Sequence, residues 1–526
     1  MKFQMSFKQY STNDTLIIKG AAIILICLHN FFHWLPPSPG ENEFLFFEEN
    51  VGNLFSLLGE KPLEFINILF SYFGHFGVQM FLLISGYGLA MSMAKKERGW
   101  LPFFWERIKK LYPLLLVGLL FLFLTTIITY GRLFTDTEQT EMWYKIFFVH
   151  TLVPGSALTL NGPWWFFALI LQLYILFPIL YKLTQKFGWK TFVAVCLVSY
   201  TAIFIYKFHF DLFHGEMMMQ NAIGHLPEFC LGILIATNNR PKLNYIWLIA
   251  AIAVFCIGNY NIYLYPFTFL AATVIMIFIY QGLKSIPVKK HILKKPLIYF
   301  GELSMAIFVV HGALRKPILS IGNIYDNAMW HLLAGLIFFV VVWLSAIAAK
   351  QAYELLLKPI NNIHIRDCRA SRIIGGIVQT GMILFLAMVM AYYTYTAIDI
   401  KHSDYISSGE ITEAAVIGTD NTYTRITYFD IDKRYSNIQI EGSLEYKTTD
   451  ITGNTIPIVI EMPGVLWEKI DLPAEYATNE YKEFHFSHRY IAPFVTNLNK
   501  IPIKIYFWNH NNESGEFRNA KVSISH

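Results

Sequence analysis

Eleven apolar stretches, most joined by short polar loops, constrain this chain more than any other feature. A membrane-spanning helix needs about 20 largely apolar residues. Candidates fall at 15–35, 70–94, 110–130, 163–184, 190–207, 221–237, 245–260, 263–281, 297–316, 331–357 and 373–399. Only 15% of the residues are charged and 17% are aromatic, against roughly a quarter charged in soluble domains. The expected fold class is therefore an all-α polytopic membrane protein. The net charge of +5 is small, and its basic residues are scattered over short loops, which argues against nucleic acid as a partner and for membrane lipid.

Loop charge orients the spans. With the N-terminus inside, the cytoplasmic loops carry Lys95, Lys96, Arg98, Arg107 and Lys109, then Lys186, then Arg240 and Lys242. Further on they carry Lys284, Lys289, Lys290, Lys294 and Lys295, then Lys358, Arg366, Arg369 and Arg372. The first outer loop, 36–69, is acidic, with Glu41, Glu43, Glu48, Glu49, Glu60 and Glu64. This distribution follows the positive-inside rule. An odd number of spans puts the C-terminus outside. The first span lacks a small-residue cleavage site and is expected to be retained.

After residue 400 the apolar period changes to two, as in Ser436-Asn-Ile-Gln-Ile-Glu, Ile456-Pro-Ile-Val-Ile-Glu, Lys482-Glu-Phe-His-Phe-Ser, Ile503-Lys-Ile-Tyr-Phe-Trp and Lys521-Val-Ser-Ile-Ser. Alternation bounded by Asn, Gly and Asp reads as half-buried strands, and several in one short segment predict a small antiparallel sandwich. The expected organisation is a core at 1–357, a linker and eleventh span at 358–399, and an extracytoplasmic all-β domain at 400–526. That domain has no Gly-x-Ser-x-Gly and no Ser/His/Asp set, and His485 and His488 are expected at its surface. The five cysteines (Cys27, Cys196, Cys230, Cys256, Cys368) show no metal-ligand spacing and read as apolar packing residues.

The chemistry is expected among membrane-embedded polar groups, which are costly in hydrocarbon and therefore point to function. The first span opens at Lys19 and ends with His29 and His33, four residues apart on one helix face. By the assigned direction of each span, His75, His225 with Glu228, and His311 fall at a similar outer depth. A shared polar cavity satisfies them together. General acid–base work suits such histidines. A metal site is not expected, because the histidines come from separate helices without a His-Glu-x-x-His pattern. Arg107 and Lys110 share a face of the third span and suit phosphate binding.

Six segments in order carry a family resemblance. They are Lys19-Gly20 leading to His29; Gly77-Val-Gln-Met-Phe-Leu-Leu-Ile-Ser85-Gly86; Arg107-Ile-Lys-Lys110-Leu-Tyr112-Pro113; Pro163-Trp164-Trp165 through Gln172, Tyr174 and Pro178; Leu226-Pro227-Glu228-Phe229-Cys-Leu-Gly232; and Gly301-Glu-Leu-Ser304 through His311. Over about 15–357 the chain resembles acyltransferase family 3, membrane O-acyltransferases of bacterial surface glycans. The resemblance implies transfer of an acyl group, usually acetyl, from cytoplasmic acyl-CoA (acetyl-CoA) to a hydroxyl of an outer glycan or lipid-linked sugar. It implies that the first-span histidine, His29, is catalytic and that Lys19, Arg107, Lys110 and Tyr112 contact CoA. Two departures stand out. Lysine replaces the family's usual arginine at Lys19 and Lys110. The usual eleven-residue gap from basic residue to histidine ends here at Asn30, one residue beyond His29.

The expected mechanism has His29 as general base, with His33 as the alternative. Glu228 is the expected residue to orient His29, and His311 assists at the leaving thiolate or the acceptor. The acceptor stacks on Trp164 or Trp165, with His75 and His225 lining its site. Ser85 is a rival nucleophile, but Leu83 breaks the Gly-x-Ser-x-Gly pattern. The alternative function is a proton-coupled transporter or flippase of a glycan or lipid-linked sugar, using the same histidines as a relay.

Overall fold

The computed structural model describes residues 4–5, 9–210, 217–237, 243–285, 294–399, 405–417, 423–430, 437–448, 455–462, 466–491, 502–509 and 514–525. Arg240, Lys242, Lys289 and Lys290 lie outside these. The chain divides into a mainly helical unit, ending at Leu384, and a second unit that includes Phe385–His526.

Among the described residues, nine segments are long and apolar enough to cross a membrane, so the chain is an integral membrane protein. The expected count of eleven is not reached by length. The stretches at 221–237 and 245–260 form helices of only 15 and 14 residues, Ala222–Ala236 and Tyr245–Gly258. The other expected spans coincide with long helices.

The first helix, α1 (Thr12–Phe32), starts at a capping box in which Ser11 and Asp14 satisfy each other's backbone donors. Lys284 binds Asp14 at 2.6 Å and fixes that end. The loop after the first span contains α2 (Glu49–Glu60) and the start of the second span. That span runs from Pro62 to Lys95 as α3 (Phe65–Phe73) and α4 (Gly77–Lys95), split by a tighter 3-10 turn at Gly74–Phe76.

Helix α5 (Trp100–Tyr130) begins seven residues before Arg107, so Arg107 and Lys109, expected in the preceding loop, are helical, as is Lys110. There follow α6 (Asp136–Ile146), α7 (Trp165–Phe187), α8 (Trp189–Phe204), α9 (Ala222–Ala236), α10 (Tyr245–Gly258), α11 (Thr268–Ser285), α12 (Lys294–Gly322), α13 (Ala328–Asn361) and α14 (Arg369–Asp399). Helix α1 packs mainly against α12, and also against α3 and α4. Phe31, Phe32, Trp164, Phe167, Phe229, Val309 and Phe338 belong to the core these helices share.

Among its described residues the second unit holds nine strands: β1 (Tyr405–Ile411), β2 (Ala415–Ile417), β3 (Tyr423–Asp430), β4 (Asn437–Thr448), β5 (Ile458–Met462), β6 (Leu466–Ile470), β7 (Lys482–Ile491), β8 (Pro502–Trp508) and β9 (Gly515–Ser525). One sheet has the order β3-β8-β5-β6; the other has β1-β9-β4-β7, with β2 also pairing β9. All pairings are antiparallel. Alternate residues of both sheets, including Ile426, Ile440, Tyr446, Ile460, Phe507, Phe517 and Ile524, fill one core. This is the expected sandwich.

Candidate active site

The site forms where the last turn of α1 meets the 3-10 break in the second span. The approach is possible because residue 74 is glycine: a Cβ there would strike the His29 Cβ and the Leu25 carbonyl. The break places His75 against His29, with ring centroids 5.6 Å apart. His33 stacks on the other side of His29 at 5.5 Å. His29, His33 and His75 are thus brought together, while the other two expected histidines are not.

His29 bonds through Nδ1 to the Phe70 carbonyl at 3.2 Å. A carbonyl only accepts, so Nδ1 carries the proton and Nε2 presents the lone pair of the neutral ring. Nε2 lies 2.7 Å from Glu41 Oε2. That oxygen is off the ring's N–H axis and makes no aligned hydrogen bond. His33 Nδ1 is 3.5 Å from the same oxygen.

The loop that carries Glu41 is tied down at several points. Gly40 takes φ +81°, the left-handed region that glycine enters without strain. Asn50 Nδ2 donates to the Glu41 carbonyl at 2.8 Å and to Asn42 Oδ1 at 2.9 Å. The Phe47 backbone N–H donates to Asn42 Oδ1 at 3.0 Å, and Tyr265 donates to the Glu43 carbonyl at 2.8 Å. Phe44 packs edge-on against Trp165.

Two carboxyls from this loop face the cavity with opposite ionisation. Burial alone would raise Glu41, but the imidazoles of His29, His33 and His75 outweigh it and hold Glu41 well below the usual carboxylate range. Burial, then the Glu41 charge, pushes Glu43 up to about 8. A cavity of about 160 Å³ lies over these groups, lined by His29, His33, Glu41, His75, Trp165 and Arg315 among others. Arg315 stacks on the Trp34 ring at 4.8 Å, and its Nε is buried without a partner.

Other expected site residues lie elsewhere. Glu228 does not meet His29; the carboxylate beside His29 is Glu41. Glu228 sits on α9, buried and with Oε2 unpaired, within electrostatic reach of Tyr200 and Cys196. His225 donates from Nε2 to the Met219 carbonyl at 2.8 Å and tilts over Trp165 at 5.6 Å, behind the cavity wall. His311 bonds through Nδ1 to Ile307 and Phe308 of its own helix and is not part of the cavity lining, though its Nε2 is unpaired. Trp164 is fully buried and donates to the Val309 carbonyl at 3.1 Å, which makes it a helix-packing residue. Trp165 does reach the cavity. Asn30 lines it too, but donates to its own helix at Ile26. Because α1 is regular from Thr12 to Phe32, no bulge shifts the register, and His29 rather than residue 30 meets the acid. Ser85 lies mid-helix on α4, outside the cavity lining.

The basic residues form a separate group. Arg98, Arg107 and Lys110 lie close enough to repel one another. Arg107 lies over the Phe103 ring at 5.5 Å with Nε unpaired, and Lys110 is exposed. Lys109, expected in the loop before the third span, is buried against Glu106 at 2.6 Å. Tyr112 donates to the Ile146 carbonyl and packs on Phe148. Lys19 is half-buried on α1.

A polytopic helical core with a histidine–carboxylate cavity defines the class. A family model described as an acyltransferase domain matches residues 17–350. The chain belongs to this family and is a membrane acyltransferase. No curated protein and no solved structure matches it.

Proposed function

We propose that this protein moves an acyl group, acetyl in the simplest case, from cytoplasmic acyl-CoA to a hydroxyl of an extracytoplasmic glycan or lipid-linked sugar. The observation that carries the reading is the His29–Glu41 contact of 2.7 Å at the cavity wall, with Nδ1 held by the Phe70 carbonyl. In this reading the acceptor hydroxyl enters the cavity beside Trp165 and gives its proton to His29 Nε2. Its oxygen attacks the thioester carbon. The C–O bond forms, the C–S bond breaks, and the thiolate leaves with the proton from the imidazolium. Glu41 stabilises that imidazolium, the role expected of Glu228. His33 and His75 flank the base, and His225 holds Trp165. His311, one helical turn from Arg315 and outside the cavity lining, takes no part in this step.

Arg107 and Lys110, joined by Arg98, suit the CoA phosphates, and the unpaired Nε atoms of Arg98 and of Arg107 support that use. Lys19 and Tyr112 are placed with them in this reading. Ten residues of α-helix separate Lys19 from His29, about 15 Å, a distance that the pantetheine arm spans. The orientation, N-terminus in and sandwich out, rests on loop charge. The short helices α9 and α10 complete eleven crossings in this scheme, since α9 is buried among its neighbours and need not match the lipid thickness alone.

The test uses purified protein in lipid vesicles, radiolabelled acetyl-CoA and a crude extract of surface glycans. Wild type is compared with His29→Ala and His33→Ala. Transfer lost in His29→Ala and retained in His33→Ala is the expected result. Loss in His33→Ala alone moves the base one turn outward. Glycan translocation by wild type without acyl-CoA turnover overturns the transferase reading in favour of a transporter.

A further inference from the structure

We propose that His29, Glu41 and His75 form a binding site for one zinc ion, with the fourth coordination position open to the cavity. Each offers one ligand atom, and these atoms all lie within 4.8 Å of one another. Two imidazoles and one carboxylate are the donor set of an open zinc site. Magnesium and calcium prefer shells made of oxygen.

The second observation is His75. Only 2% of the residue is exposed, and both of its ring nitrogens are buried without an aligned hydrogen bond. The Tyr72 carbonyl lies near the ring but out of line. A buried imidazole left in this state forfeits hydrogen bonds it had in water, and a ligand on its lone pair restores that loss.

The third observation is how His29 is held. Its Nδ1–H is committed to the Phe70 carbonyl, the outer contact that orients most metal-bound histidines and leaves Nε2 as the ligand atom. Nε2 then faces Glu41 Oε2 at 2.7 Å, off the axis that a shared proton requires. A contact this close between imidazole and carboxylate needs positive charge beside both atoms, which a proton on the ring or a bound cation supplies. His75 closes the third side. Tetrahedral zinc at bonds of about 2.0–2.1 Å sets its ligand atoms about 3.3 Å apart. Small side-chain rotations of His75 and Glu41 convert the present arrangement into that one. The sequence concealed this set because its members come from α1, the first outer loop and the 3-10 break, and share no local spacing.

Bound zinc occupies the lone pair that the proposed reaction uses. Zinc therefore competes with the acceptor hydroxyl and not with acyl-CoA. This consequence rests on His29 being the base; the binding itself does not.

The experiment is calorimetric titration of ZnCl2 into the chelator-treated full chain in detergent micelles. One equivalent is expected, undisturbed by excess MgCl2. His75→Ala and Glu41→Gln are each expected to weaken binding by about tenfold or more. Gel filtration and thermal unfolding of both variants without zinc check that the fold survives; Glu41→Gln preserves side-chain volume if His75→Ala does not fold. Sub-stoichiometric binding by wild type, or unchanged affinity in both folded variants, overturns the site. In the transfer assay, inhibition that added acceptor relieves and a chelator reverses supports the whole scheme. Stoichiometric binding that leaves transfer untouched keeps the site and removes His29 as the base.

Discussion

The helical unit and the β-sandwich treat buried polar groups in opposite ways. In the sandwich the interior is apolar, and charges pair across strands near the surface, as Lys504 does with Glu461 and Lys447 with Glu516. Among its described residues, Thr424 Oγ1 is the buried side-chain atom without a partner. The helical unit buries His75, His225, Glu228 and His311 with polar atoms unpaired. Such atoms cost stability, and a fold retains them where a substrate, proton or ion uses them. The contrast separates a unit selected for packing from one that sacrifices packing for chemistry.

The contrast is open to attack from both sides. The largest expected effect is on catalysis: His29→Ala lowers kcat by about 10²–10⁴-fold, read by labelled acetyl transfer, while thermal unfolding shifts little. The reverse pattern would make His29 structural. Phe507→Ala, in the sandwich core, costs about 3–5 kcal/mol of stability, seen as earlier thermal unfolding or proteolysis of the second unit. Glu41→Gln keeps the shape of the loop and removes the charge beside His29. Losing a charge-assisted contact worth about 1.5–3 kcal/mol slows transfer by about 10–100-fold. Lys504→Ala, which breaks a partly exposed pair, changes stability by less than about 1 kcal/mol.

The smallest effect is one of pH. His488 is half-buried in β7 rather than at the open surface, and burial lowers its pKa from 6.5. Below about pH 6.5 the unfolded chain binds a proton that the folded chain resists. Sandwich stability therefore falls as pH drops through that range, and His488→Gln removes this component. Denaturant midpoints of the two proteins at pH 7.5 and about pH 5.5 check the sign.

Much of this architecture was legible in the sequence because it depends on period and length. Apolar runs marked the long helices, and a period of two marked the strands. The four-residue spacing of His29 and His33 put both on one face of α1. Depth in the membrane, however, does not fix direction around a helix axis. His225 and His311 were assigned the same outer depth as His29, yet each bonds to carbonyls of its own neighbourhood. Adjacent residues on a helix point about 100° apart, which is why Trp165 reaches the cavity while Trp164 packs on Val309. Glu41 appeared only as loop charge. Its place depends on the turn at Gly40 and the amides of Asn42 and Asn50, and no periodicity encodes those contacts. Arg315 had no signal beyond being a charge near the end of a span.

The loop that brings Glu41 to His29 also lines the cavity, through Glu43 and Phe44 as well as Glu41 itself. An acceptor too large for this space displaces the same segment that supplies the negative charge. Molecular size and reactivity are thereby joined: a guest that fits leaves the imidazole activated, and one that forces the loop outward strips its counter-ion and disarms it. In the proposed reaction, selectivity for small or terminal hydroxyls then arises without a dedicated recognition residue, from the anchoring of the twelve residues between His33 and Phe46.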